Sequence, residues 1–489
     1  MLAESLLHSQ NEFKILSQKY SDLEAKYLIQ QHQLEQLKRY VFGSKNERFI
    51  SNTNPSQTSF DFNIEPNAIV ESTQQNVEAH VRTKVTKRPN HKGRSWLPES
   101  LPRNIIELAP EENVEGLVCI GTEVKEELNY TPGNVYVNRY ERKKYAKSDG
   151  EGVIIAPLPL HPIPRCMAGT GLLAQILIDK YADHLPLYRQ VQRYTREGVT
   201  LAPSTINDWV KDSCNVIEPL YQVLKKQMLQ SDYLMVDETP IKVLESAKKG
   251  STHQGYYWVY KSPHDNLVLI DYQKGRDQKG PVKMLANFKG HLQTDGYCVY
   301  DLFETNKDIT MLGCMAHARR YFDQSKSNDK VRAEFALQEI QLLYQIERKA
   351  DEQTLPDDVR CEMRQQQSIP ILNGLHNWML ENITQVTPQS PIGKAMAYSL
   401  ARWHRLCAYT QNGKLKIDNN LVENAIRPIA IGRKNYLFAG THESAQRAAM
   451  IYSFISICKL KNVNPFTWLK NTLDNISETK YSQLNHLLP

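Results

Sequence analysis

The stretch Tyr233-Leu-Met-Val-Asp-Glu-Thr-Pro240 decides how the rest of this 489-residue chain is read. Its apolar run has the length of a buried strand and delivers Asp237 at its end, where Glu238 and a Thr-Pro break follow. A carboxylate at a strand terminus is rigidly placed and can face a cleft. Gly290-His-Leu-Gln-Thr-Asp295-Gly-Tyr repeats the pattern, and Gly296 permits a tight turn after the acid. A third acid, Glu423, lies in Ile417-Asp-Asn-Asn-Leu-Val-Glu423-Asn-Ala-Ile-Arg427-Pro, which reads as a helix start. Two strand-borne Asp and a helix-borne Glu form the minimal cage for two divalent cations in phosphoryl-transfer enzymes.

Outward from that stretch the period is that of strands. The runs are Leu234–Val236, Gly255–Tyr260, Leu267–Ile270, His291–Thr294 and Ile309–Met315, with a helical piece from Pro281 to Phe288 before the fourth. Three strands, a helix, a strand, a helical piece and a strand match the order of a ribonuclease-H-like α/β fold. In that order the first and fourth strands lie side by side, so Asp237 and Asp295 converge. Residues 324 to about 412 read as a helical insertion, with Leu337, Ile340, Leu343 and Tyr344 on one face and Ala395, Leu400, Trp403 and Leu406 on another. The other reading, a separate C-terminal domain, leaves the sheet without its third acid. The catalytic domain is thus predicted over 229–445. Residues 446–489 are a C-terminal helical segment whose Ile451, Phe454, Ile455, Cys458 and Trp468 cover the core.

Toward the N-terminus, 166–228 reads as helices. One runs from about Leu187 to Glu197 before Gly198, and another begins near Pro203-Ser204 with Ser204 as N-cap. Two helices around a Gly-containing turn suggest a helix-turn-helix-like DNA-binding region, with Arg189, Arg193 and Arg196 available for phosphates; a helical hairpin that binds nothing is the plain alternative. Residues 105–165 look like short strands, Val135–Tyr140 and Gly152–Ala156, ended by Pro157, Pro159, Pro162 and Pro164. Residues 46–104 are a flexible linker whose end is basic: seven Lys or Arg against Glu99 alone between His80 and Ile105. It holds a phosphate backbone or is a solvated tether. Residues 1–45 carry heptads, with Phe13, Tyr20, Tyr27, Leu34 and Val41 at a and Leu16, Leu23, Gln30 and Leu37 at d. That spacing predicts a coiled coil and a homo-oligomer; one amphipathic helix packed on its own chain is the alternative. The fold class is therefore multidomain α+β.

Composition narrows the function. A net charge of +6 over the whole chain is mild, so local clusters must carry any nucleic-acid argument. No stretch of eighteen apolar residues exists and no basic n-region precedes an apolar one at Met1, so neither a membrane span nor a signal peptide is expected. The eight cysteines are scattered without a Cys-x-x-Cys pair, which fits reduced thiols in a cytoplasmic protein. Magnesium is hard and prefers oxygen, so carboxylates suit it and His or Cys do not. Asp237 is expected to bridge two Mg²⁺ ions, Mn²⁺ being the alternative, with Asp295 and Glu423 holding one each. The cations His317, Arg319 and Arg320 after the fifth strand, and Arg427, Arg433 and Lys434 after Glu423, suit a polyanionic substrate such as double-stranded DNA. The other reading makes them surface pairs for nearby acids.

Several long motifs resemble one family. They are Met235-Val-Asp-Glu-Thr-Pro, Thr294-Asp-Gly-Tyr, Gly313-Cys-Met-Ala-His-Ala-Arg-Arg, Asp418-Asn-Asn-Leu-Val-Glu-Asn-Ala-Ile-Arg-Pro and Gly432-Arg-Lys-Asn-Tyr-Leu-Phe-Ala-Gly440. With Lys180-Tyr-Ala-Asp-His-Leu-Pro-Leu-Tyr-Arg and Val41-Phe-Gly-Ser-Lys-Asn-Glu-Arg-Phe, they are similar to the insertion sequence 66 transposases over nearly the whole chain. The resemblance implies a leucine-zipper start, a zinc-finger-like segment, a helical DNA-binding region and a DDE domain interrupted by an insertion. It implies binding to the ends of a bacterial mobile element, Mg-dependent cleavage and strand transfer, a nucleoid setting, and accessory small proteins of the element. The family's triad falls on Asp237, Asp295 and Glu423. One departure is clear. The family's first Cys pair is reduced to Cys119, and Tyr145–Gly152, where the second belongs, has none. A four-Cys zinc site cannot form there, so the segment is degenerate and zinc is not expected. A structure-selective nuclease, or a decayed DNA-binding coiled-coil regulator, are the competing functions.

Overall fold

The computed structural model describes residues 159–245 and 251–489, together with 133, 135–138, 144–146 and 153–155. The coiled coil expected over 1–45, the linker over 46–104 and most of the degenerate segment over 105–165 lie outside the described residues. Within that segment Lys144–Ala146 (β1) and Val153–Ile155 (β2) pair as an antiparallel hairpin, Tyr145 opposite Ile154. Val135–Asn138, expected as a strand, is exposed and belongs to no strand. Alternating apolar residues make a strand only where another backbone pairs with them.

The main sheet has five strands in the order β5-β4-β3-β6-β7. These are Tyr233–Val243 (β3), His253–Ser262 (β4), Leu267–Gln273 (β5), Gly290–Gln293 (β6) and Ile309–Leu312 (β7). β4 pairs antiparallel with β3 and β5, whereas β6 pairs parallel with β3 and β7. The first and fourth strands of this sheet are neighbours, as the order of apolar runs predicts. Helix Lys279–Met284 (α4) lies on the connection between β5 and β6. Gly290 opens β6 with φ +133°, and a Cβ there would collide with the Asp232 carbonyl, so only glycine starts this strand.

One expectation is corrected. β3 does not break at Thr239-Pro240 but continues to Val243, still in register with β4. Its pairing with β6 ends at Met235, and among the described residues no strand takes that side again before the bridge from Val243 to Ala439. An open edge accommodates a residue without an N–H, which is how Pro240 stays inside the strand.

Among the described residues three helices precede the sheet: Thr170–Tyr181 (α1), Leu187–Arg196 (α2) and Pro203–Met228 (α3). The N-cap of α3 is Ala202 and Pro203 opens the helix, so Ser204 sits inside the first turn and does not cap it. Leu173, Leu177, Ile206, Ile217 and Leu224 join Val259, Leu269 and Ile270 in one apolar core, so these helices are built on the sheet. His442–Leu460 (α12) is buried along most of its length. It and α3 both grip β5 at Ile270, whose N–H donates to Ser453 Oγ at 2.8 Å and whose carbonyl accepts from Tyr221 at 2.6 Å. Pro465–Asn475 (α13) completes the C-terminal cover.

Between Met315–Gln324 (α5) and Asn420–Tyr436 (α11) come Lys330–Glu352 (α6), Asp357–Met363 (α7), Ile369–Ile383 (α8), Pro391–Ala401 (α9) and Trp403–Cys407 (α10). Their hub is Arg364, fully buried in a π-helical turn, Arg364–Ser368. Its Nε and Nη2 donate to Glu347 at 2.7 and 2.6 Å, and its remaining donors reach the carbonyls of Tyr409, Asn412 and Leu415. Every N–H of the guanidinium is used, which is the condition for burying that charge.

Candidate active site

The parallel pairing of β3 with β6 ends at Met235 opposite Gln293, and each strand carries an Asp two residues further on. The fold therefore releases Asp237 and Asp295 from the same point of the sheet. Asp237 Oδ1 accepts from the Glu238 N–H at 2.7 Å. Burial, then the negative charges of Asp295, Glu238 and Glu423, hold its carboxyl well above the usual carboxylate range. Glu238, whose side chain is 1% exposed, points elsewhere. Its Oε1 accepts from Arg276 Nε at 2.8 Å and its Oε2 from the Tyr300 hydroxyl at 3.0 Å. Arg276 also lies 3.9 Å from the Tyr297 ring centroid.

Asp295 leaves the sheet into a turn. Its Oδ1 accepts from Tyr297 N–H at 2.8 Å, and Gly296 follows with φ +88°. Its carbonyl is held by the Tyr398 hydroxyl at 2.7 Å, from α9.

Glu423 sits in the first turn of α11. The start of that helix is tied to the strands by Gln293, a fully buried polar residue on β6. Gln293 Nε2 donates to the Gly313 and Lys416 carbonyls at 2.9 and 3.0 Å, and its Oε1 accepts from the Tyr233 hydroxyl. Asp418 Oδ1 receives Asn420 N–H at 3.1 Å just before the helix. Glu423 Oε1 stands 3.7 Å from Arg320 and 3.9 Å from His317 Nε2, both on α5. Burial raises its carboxyl and the Asp295 and Asp418 charges add to this, while Arg320 and Arg427 oppose it. His317 is pushed down to about 4 by burial and by Arg320, so its imidazole is neutral at neutral pH.

The three acids thus act on one another's charge, but they do not close into a cage. Among the described residues no group of three or more His, Cys, Asp or Glu is gathered closely enough to hold a metal ion. Asp237 and Asp295 each accept from a neighbouring N–H, and Glu423 faces two α5 side chains. The donor chemistry still fits a hard divalent cation, being oxygen throughout, and such a cation relieves the mutual repulsion that lifts Asp237.

The candidate phosphate contacts divide. Arg189 and Arg196 on α2 are exposed, whereas Arg193 pairs with buried Asp179 on α1. His317, Arg319 and Arg320 lie on α5, and Arg427 follows Glu423 by one turn of α11. Arg433 donates to the Pro240 carbonyl on β3, and Lys434 is exposed. The residues that sequence reasoning missed are Gln293, Tyr398 and Arg402. A polar residue inside an apolar run marks Gln293; no local pattern marks the other two. The described cysteines are free, and no described helix is long and apolar enough to cross a membrane.

Comparison with known proteins adds the following. Residues 165–447 match the family described as Transposase IS66 family, and residues 30–106 match one described as Transposase C of IS166 homeodomain. Among curated proteins the chain is similar to three uncharacterized proteins of Sinorhizobium fredii. The protein y4jD is 30% identical, covering 99% of this chain and 98% of its own length. The proteins y4hP and y4qI are 28% and 30% identical, each covering 93% of this chain and 87% of its own.

Proposed function

The chain belongs to the IS66 transposase family, and on that premise we propose that Asp237, Asp295 and Glu423 are its DDE triad. The substrate is the double-stranded end of a bacterial insertion sequence, which the enzyme cleaves and joins to a target. The sheet is read as ribonuclease-H-like, interrupted by the helices of 330–411, and the N-terminal heptads as the means of self-association. The observation that carries the reading is the shared exit of the two Asp from the β3–β6 pair, with Asp237 raised first by burial and then by neighbouring acids, Asp295 and Glu423 among them.

Magnesium, when bound there, would supply a water activated near neutral pH and stabilise the departing 3′ oxygen. Asp237, Asp295 and Glu423 are the residues that would hold it. This chain's own residues do the rest. Arg320 and Arg427 flank Glu423 with positive charge suited to a phosphate. Neutral His317 adds a hydrogen-bonding group beside them without a second carboxylate's repulsion. Exposed Arg189, Arg196 and Lys434 offer further phosphate contacts, whereas Arg193 is occupied by Asp179.

The test is a cleavage assay on duplex DNA carrying the element's end, with Mg²⁺ and with EDTA. Asp237→Asn and Glu423→Gln are expected to lower cleavage at least about a thousandfold, roughly 4 kcal/mol of transition-state stabilisation. Full Mg²⁺-dependent cleavage by Asp237→Asn would overturn the assignment. Joining of pre-cut ends separates a transposase from a structure-selective nuclease. A decayed regulator would lose nothing when all three acids are replaced.

A further inference from the structure

The far end of the helical insertion lies across the segment that follows Asp295. Tyr398 donates to the Asp295 carbonyl at 2.7 Å, and Arg402 Nη2 donates to the Gly296 carbonyl at 3.0 Å. Arg405 then pairs with Asp301 at 2.6 Å and with Glu304, and His404 Nε2 lies 2.6 Å from Glu304 Oε1. These contacts span Asp295 to Glu304 and come from residues about a hundred positions away in sequence. Gly296 is trapped beneath them: a Cβ there would lie 2.7 Å from Arg402 Nε and 3.0 Å from the Tyr398 hydroxyl.

The same insertion end also meets the element that faces Glu423. The Tyr398 ring lies 4.5 Å from the ring of Tyr321, on α5, and the Arg402 guanidinium lies 4.7 Å from the Tyr398 ring. On the same helix His317 lies one turn before Tyr321 and Arg320 directly precedes it; these are the two neighbours of Glu423. Tyr398 therefore stands between the support of Asp295 and the support of Glu423. β6 ends at Gln293; the Thr294 N–H still donates to the Leu312 carbonyl of β7 at 3.1 Å, and no strand pairing reaches Asp295 itself.

We propose that Tyr398 and Arg402 are positioning residues that set the Asp295 carboxylate for cation binding by holding the peptide carbonyls on either side of its turn. The inference rests on the triad proposed above. Groups that orient a ligand without touching the metal commonly change metal affinity by about 10–100-fold when removed.

The experiment measures Mn²⁺ binding to the full chain without DNA, by calorimetry or by the loss of the free Mn²⁺ resonance signal, with Tm recorded in EDTA. Tyr398→Phe keeps the ring contacts and removes only the hydroxyl; Arg402→Lys keeps the charge and removes the fixed fork. Each is expected to weaken Mn²⁺ about tenfold with Tm within a degree or two of the parent protein. Asp295→Asn is measured beside them. Unchanged affinity in both positioning variants with weakened binding in Asp295→Asn overturns this inference and leaves the triad standing. Unchanged affinity in Asp295→Asn as well overturns the metal reading of the site itself. A loss of affinity that tracks a fall in Tm in both variants overturns positioning in favour of general support.

Discussion

Asp237 and Asp295 leave one parallel strand pair at the same register and are then held by different means. Asp237 stays inside a strand that runs on to Val243, paired residue by residue with β4, so its backbone is fixed by sheet hydrogen bonds. Asp295 leaves the sheet at once, and its carbonyl is fixed by Tyr398 from a helix far along the chain. The next residues show the same contrast. Glu238 carries a buried carboxylate within the strand, whereas its counterpart, Gly296, must be glycine. One acid is secured by topology and the other by the insertion, so perturbing the insertion should reach one and spare the other.

The largest effect is expected at Arg364. Arg364→Met leaves buried Glu347 with only the longer contact to Arg360 at 3.7 Å and leaves the Tyr409, Asn412 and Leu415 carbonyls unmatched. Removing one member of a buried pair costs about 3–5 kcal/mol. Hydrogen exchange should show amides of 297–305 losing protection while those of β3 and β4 keep theirs. Equal loss in both regions would break the comparison, because both acids would then depend on a single cooperative unit.

Gly296→Ala tests the contact between insertion and turn directly. Alanine must adopt φ +88° and must displace Arg402 or Tyr398. The strained backbone and the displaced clamp together should cost about 2 kcal/mol, seen as a lower Tm. A Tm equal to that of the parent protein would mean that the clamp gives way freely, and the tight hold on Asp295 would be denied.

The two means of support were unequally legible in the sequence. Strand order, both Asp and the Glu423 helix follow from local signals: period-two apolar runs, a glycine after the acid, and polar residues before an apolar helix face. The length of β3 was not legible, because Pro240 is tolerated only by virtue of an edge left open when β6 ends. Nor was the engagement of Arg193: beside Arg189 and Arg196 it looks identical, and only the packing of α1 on α2 brings Asp179 to it. Tyr398 and Arg402 belong to this second kind. A hydroxyl and a guanidinium inside an amphipathic helix carry no mark of the carbonyls they reach.

The smallest effect sharpens the electrostatic side of the comparison. The folded pKa of Asp237 lies above its unfolded value of about 3.9, mainly through burial and then through neighbouring acids. For such a group the stabilising contribution is fully present below the unfolded pKa and is lost as pH rises through the folded one. At neutral pH without divalent cations Asp237 therefore contributes less stability than it does below its unfolded pKa. Asp237→Asn removes the charge, and an Asn Oδ1 can keep the bond from the Glu238 N–H. In EDTA at pH about 7 the variant should be more stable than the parent protein by about 1 kcal/mol, a few degrees in Tm. The difference should shrink as pH falls toward the unfolded value of about 3.9. Magnesium should raise the Tm of the parent protein and leave the variant nearly unmoved, because only a set of charges that repel one another gains from a cation between them. A variant no more stable than the parent in EDTA would mean that the lattice of β3 and β4 absorbs the charge without penalty.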